Sequence, residues 1–307
     1  MQPALIYIVL LAAVVAIVLG SISLWRYLDY RRRPRRTPLS TGLLRPPGHS
    51  LSQQIKKLET ALDQWVLFMV MTPVALTSAF FGQWALSENR PGVTFIALSA
   101  VVFGLFFVYL LYRVIQLMKR RRNMQLGYDC ELAMAQELNA LARKGYYVFH
   151  DVPADSFNID HVTVGPTGVV AIETKGRPKP LGKDGQAIAR MRFEQGRLQF
   201  PGWSERKPLD QATRQARWLA KWLSEATGEP VPVKPALIFP GWYVEQKAPS
   251  EVMLFNGRDP DKWIPQVGTG KSLPQAQIAR IVHQLDQRCR DVDAQAYKKK
   301  SRAAAWN

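Results

Sequence analysis

The chain has 307 residues, room for a membrane anchor and one soluble domain with its own core. Its 41 Lys and Arg exceed its 24 Asp and Glu by 17 charges, while Cys130 and Cys289 stand alone, which excludes a CxxC zinc site and a local disulfide framework and fits a reducing compartment. His49, His150, His161 and His283 have no ligand spacing, which argues against a His-rich zinc hydrolase.

Three apolar runs occupy the first 118 residues, at about 4–25, 65–86 and 93–115. Each approaches the roughly 20 residues needed to cross hydrocarbon. The first lacks a basic leading region and is followed by positive charge, so it reads as an uncleaved anchor and not as a signal peptide. Arg26, Arg31, Arg32, Arg33, Arg35 and Arg36 follow it, and Lys119, Arg120, Arg121 and Arg122 follow the third run. The loop from Gln83 to Gly92 carries only Glu88 and Arg90. The positive-inside rule then predicts a multi-pass protein of the cytoplasmic membrane with its N-terminus outside, and with the basic loop 26–64 and everything after Lys119 in the cytoplasm. Pro73 interrupts the second run, and a re-entrant hairpin of runs two and three would leave the same ends inside. Leu51, Ile55, Leu58 and Leu62 repeat at helical spacing beside Lys56 and Lys57, which suits either a helix lying on membrane lipid or one packed on the soluble domain. Up to Met118 there are 11 basic and 4 acidic residues, leaving 30 and 20 for the soluble part, whose excess favours phosphate-rich partners.

Asp129 is a suitable N-cap for a helix running to about Lys144 and stopped by Gly145. Within it Glu131 falls among Ala135, Leu138 and Ala142, so its carboxylate points inward, where it needs a cation, a metal or several hydrogen bonds. As a first-turn acid it could also simply favour the helix dipole. Tyr147 to Val152 then reads as a strand, followed by two β-like runs separated by Gly165-Pro166-Thr167-Gly168. With those four residues as the turn, Val164 faces Val169 and Asp160 faces Glu173. Because side chains alternate, Lys175 shares the face of Glu173. Two carboxylates and a lysine gathered this way can bind Mg2+, or Mn2+, activate a water and steady charge on a phosphate. The same three groups could also form only a cross-strand salt bridge.

The order of Glu131, Asn158-Ile159-Asp160-His161, the string Gly165 to Lys175 and Pro208-Leu209-Asp210-Gln211 resembles the nuclease-related domain, NERD, over about Gly127 to Asn256. That resemblance implies an α/β chain with a restriction-endonuclease-like mixed sheet flanked by helices, of the PD-(D/E)xK class. It implies Asp160, Glu173 and Glu131 as metal-binding acids, Lys175 as the catalytic lysine and Gln211 as the later helix's glutamine. Cys130 stands where the Gly of a Gly-Glu pair is expected, and Gln215 where related nucleases have Tyr. Gln215, Trp218 and Trp222 continue the Gln211 face, which predicts burial. Val233 to Phe239 and Val252 to Phe255 read as strands, and Pro274 to Val292 as an amphipathic closing helix.

The organisation expected is therefore an anchor (1–118), a nuclease-related domain (119–260), and a closing helix with a basic tail (261–307). Gly268-Thr269-Gly270-Lys271-Ser272 lacks the earlier Gly of a P-loop and is followed by Pro274, which suits a capping loop. Lys298-Lys299-Lys300-Ser301-Arg302 suits a solvated end, or contact with nucleic acid or lipid. The expected activity is metal-dependent hydrolysis of nucleic acid, DNA before RNA. The alternative is a nucleic-acid binding or docking module without turnover, and the sequence points to no particular protein partner.

Overall fold

A computed structural model describes residues 17, 20–25, 27, 28, 41–86, 92–267 and 272–293. The first apolar run lies outside these residues apart from scattered helical positions between 17 and 25, as do Gly268 to Lys271 and the tail from Lys298. The chain divides into two compact units, one formed by Met1–Ser40, Lys56–Arg121 and Ala294–Asn307, the other by Thr41–Ile55 and Arg122–Asp293.

The first unit holds most of two long helices, α1 (His49–Leu86) and α2 (Val93–Leu138). Both have apolar stretches long enough to cross a membrane, with mean hydropathy 1.3 and 2.5 and only 0% and 6% of those windows buried. The helices are tied by Arg121, whose guanidinium donates to Glu59 at 2.6 and 2.9 Å, and by Trp65, which meets the Tyr109 ring edge-on and carries Arg113 over its face. The repeat from Leu51 to Leu62 is continuous with the second apolar run, because α1 passes unbroken through Pro73.

One boundary differs from expectation. Asp129 does not cap a new helix; α2 runs through it from Val93 to Leu138. Residues 119–126 contain no Pro or Gly and favour helix, so nothing stops the chain where the apolar run ends. Asp129 instead accepts a bond from Gln125, one turn earlier, at 2.8 Å. The helix tightens into a 3-10 turn over Asn139–Lys144 and ends at Gly145, whose φ of 76° a side chain would disfavour.

In the second unit, a five-stranded sheet has the order β1-β2-β3-β7-β9, formed by Tyr147–Pro153, Asn158–Gly165, Gly168–Thr174, Val233–Ile238 and Met253–Phe255. The first three strands pair antiparallel, with the expected hairpin between β2 and β3, and β7 and β9 add in parallel beyond β3. Helices α3 (Lys207–Thr227) and α5 (Gln275–Cys289) cover the face bearing Val162, Val164, Val169 and Ala171. The end of α2 and the short α4 (Pro260–Val267) cover the opposite face at Val170 and Ile172. A second, four-stranded sheet, β6-β5-β4-β8, is built from Trp203–Glu205, Arg197–Phe200, Arg190–Glu194 and Tyr243–Gln246. Its inner residues Met191, Phe193 and Leu198 pack with Leu209, Ala212 and Phe239. It was not foreseen from the sequence, because its strands are three to five residues long and their outward positions are charged.

Candidate active site

The hairpin register is the one the turn dictates: Val164 pairs with Val169 and His161 with Ile172, which sets Asp160 beside Glu173. Alternation then places Asp160 with Val162 and Val164, and Glu173 with Val169 and Ala171, on the face that α3 covers. Asp160 uses its side chain where the ladder ends, its Oδ2 accepting the Thr174 N–H at 2.7 Å.

Glu173 is almost sealed, with 2% of its surface exposed, and both its oxygens are engaged. Oε1 accepts from Lys175 Nζ and, at 2.8 Å, from Gln211 Nε2; Oε2 accepts from Gln215 Nε2 at 2.6 Å. Helix α3 can present both glutamines because they are four residues apart, one turn on the same stripe.

Glu131 is buried on α2, one turn before Met134 and Ala135, and so belongs to the helix covering the opposite face. Burial pushes its carboxyl up to about 8, with the charges of Asp151 and Glu173 adding and Lys175 opposing. Burial likewise holds Asp160 well above the usual carboxylate range, with Glu173 and Glu131 adding, and Lys175 and the Thr174 N–H opposing. The five predicted residues thus form one electrostatic and hydrogen-bonded neighbourhood. Among the described residues, however, no three His, Cys, Asp or Glu side chains are grouped as ligands around one ion. Glu173 faces Lys175 and the two glutamines instead. The donor set still suits a hard divalent cation: it is carboxylate oxygens, and burial with mutual repulsion raises the pKa of two of the acids, a penalty that a double positive charge would relieve.

Three features went unnoticed in the sequence. Gln215, expected on a buried face and at the place of a Tyr in related nucleases, is a direct partner of Glu173; its spacing of four from Gln211 was the available signal. Asp151 is 1% exposed and is held by Arg45, Ser50 and Asn158. His150 and His161 meet through their Nδ1 atoms at 2.9 Å, and burial lowers the pKa of His150 to about 4 and that of His161 well below its ordinary value, so one neutral ring donates to the other.

Gly176 explains how the site abuts α2. A Cβ there would lie 3.0 Å from the Leu126 carbonyl oxygen and 3.1 Å from Cys130 Sγ. Gly176→Val is therefore expected to cost about 1–3 kcal/mol of stability, read as a lower unfolding midpoint of the full chain. An unchanged midpoint would show that the contact yields freely.

The chain carries a nuclease-related domain, NERD: residues 126–240 match that family's model, from the end of α2 to just past β7. No curated protein and no solved structure matches the chain.

Proposed function

We propose that this protein is a membrane-anchored, metal-dependent nuclease that hydrolyses phosphodiester bonds of DNA in preference to RNA, with Asp160, Glu173, Lys175, Glu131 and Gln211 as its working residues. The observation that carries the reading is the convergence of Asp160, Glu173 and Lys175 at the open end of the β2–β3 hairpin, within the nuclease-related segment. The mixed sheet with helices on both faces supports a restriction-endonuclease-like fold. The two exposed apolar helices, flanked by Arg-rich segments, support a multi-pass anchor that leaves the N-terminus outside and the domain in the cytoplasm. The excess of 30 basic over 20 acidic residues from Lys119 onward supports a polyanionic partner.

Glu131, Asp160 and Glu173 would hold Mg2+, or Mn2+, which would lower the pKa of a bound water and offset charge on the phosphate. Lys175 supplies a positioned ammonium for the charge that develops in the transition state. Gln211 and Gln215 fix the Glu173 carboxylate so that it need not search rotamers.

One observation favours the second reading, a nucleic-acid binding module without turnover: both oxygens of Glu173 are already engaged by protein donors. The two are separated by incubating the purified full chain with labelled DNA and RNA, with Mg2+ or Mn2+ and with chelator. Metal-dependent cleavage, faster on DNA, is the expected result. Tight, salt-sensitive binding with no cleavage under any condition would replace the enzyme with the binding module.

A further inference from the structure

The segment ahead of α1 belongs to the same compact unit as the nuclease-related domain, and backbone contacts dock it there. Leu43 and Val292 exchange N–H to carbonyl bonds of 2.8 and 3.2 Å, and the Arg45 N–H donates to the Cys289 carbonyl at 3.0 Å. Gly42 lies so close to Arg290 that a Cβ would come within 2.4 Å of its carbonyl oxygen. This docking leaves the side chains of Arg45 and Ser50 free to reach inward.

Both converge on one buried oxygen. Arg45 Nη1 and Ser50 Oγ donate to Asp151 Oδ2 at 2.9 and 2.7 Å, while the rest of the Arg45 fork holds Asp291 at 2.5 and 2.7 Å. Asp151 has a φ of 48°, a left-handed backbone that a non-glycine residue rarely adopts. Buried carboxylates need such partners, since an unpaired one is expensive. Asp151 Oδ1 accepts from Asn158 Nδ2 at 2.7 Å, and the Asn158 carbonyl accepts from Gln215 Nε2 at 2.9 Å. That same amide donates to Glu173 Oε2. Asp151 and Gln215 are each 1% exposed, so a bond lost at either is poorly made good by water, and moving one member shifts the next.

We propose that Arg45 and Ser50 are positioning residues for the site: through Asp151, Asn158 and Gln215 they hold the Glu173 carboxylate and the start of β2, which carries Asp160. The activity arm of this inference rests on the nuclease reading. The site is thus completed by residues more than 100 positions ahead of the strand they steady, and a fragment starting at Lys119 would lack them.

The test uses the full chain in detergent, with Ser50→Ala, Arg45→Ala and Arg45→Lys, followed by steady-state cleavage, nucleic-acid binding by fluorescence anisotropy, and hydrogen exchange by mass spectrometry. Ser50→Ala should lower kcat about tenfold while KM and affinity stay close to the parent's, because a mispositioned group loses turnover before it loses binding. Arg45→Ala should lose more, and Arg45→Lys should recover part of it by restoring a charge beside Asp151. Parental kcat in both Ser50→Ala and Arg45→Ala overturns the proposal. If the parent itself does not cleave, the nuclease reading fails, and exchange alone decides the network. Faster exchange in Ser50→Ala across 158–162 and 173–176, with the docked 42–46 unchanged, supports it; parental exchange in both β segments overturns it.

Discussion

Asp160→Asn and Glu173→Gln will each reduce metal-dependent cleavage by at least about 100-fold while leaving nucleic-acid affinity nearly unchanged. These near-isosteric changes are better tests than alanine. Glu173 accepts bonds from Lys175, Gln211 and Gln215, so Glu173→Ala would strand a buried amide and add roughly 1–3 kcal/mol of destabilisation to any catalytic loss. The amide variants keep the volume and remove the charge that an ion needs. Affinity should survive, because it rests on a distributed Lys and Arg surface, and it should fall with added salt in parent and variants alike. Lys175→Met should separate the roles: metal binding largely retained, turnover lost. A well-folded Glu173→Gln protein that cleaves as fast as the parent would leave only the binding-module reading.

The part of this site that the sequence discloses is the part governed by short-range rules. A four-residue turn between β-branched runs fixes the register, and period-two alternation does the rest, so Asp160, Glu173 and Lys175 could be placed together from their numbers alone. Gln211 came from the family resemblance, and helical spacing added only that its face is buried. The start of the Glu131 helix was misplaced because a capping residue signals a helix start only where the preceding chain is not already helical, and here α2 arrives from the apolar run. Glu131 nonetheless stays on the inward face, since the phase of a helix does not depend on where it begins. Asp151 and Arg45 were out of reach for a different reason. They are 106 positions apart, and no local pattern marks an arginine in a Pro- and Gly-rich loop as the partner of an acid within a strand. The same distance hid the histidine couple, for each of His150 and His161 looks unremarkable until strands β1 and β2 pair.

The metal-free protein should lose stability as pH rises from 6.5 to 8, and Glu131→Gln should remove the share of that fall that Glu131 contributes. Below pH about 4.5 Glu131 carries its proton whether the chain is folded or not. Between there and about 8 the unfolded chain releases the proton and the folded one keeps it, so ionisation favours unfolding; above 8 both forms are ionised and the penalty is complete. Asp160, also raised, has the same sign but begins its loss at lower pH. The histidine couple has the opposite sign: His150 and His161, lowered by burial, favour the unfolded chain only where it can take up protons, below about 6.5. In the window from 6.5 to 8 the histidines no longer contribute, and the raised acids Glu131 and Asp160 set the slope. One and a half pH units at about 1.4 kcal/mol each set the scale at roughly 2 kcal/mol. Thermal unfolding of the full chain in chelator should show the parent's midpoint falling across this window and the Glu131→Gln midpoint falling less steeply and standing higher at pH 8. Mg2+ added at pH 8 should raise the parent's midpoint more than the variant's, since the parent has one more charge to be compensated. Parallel slopes in the two proteins would mean that Glu131 is already ionised at neutral pH, and that the repulsion inferred among Glu131, Asp160 and Glu173 is relieved by the protein itself.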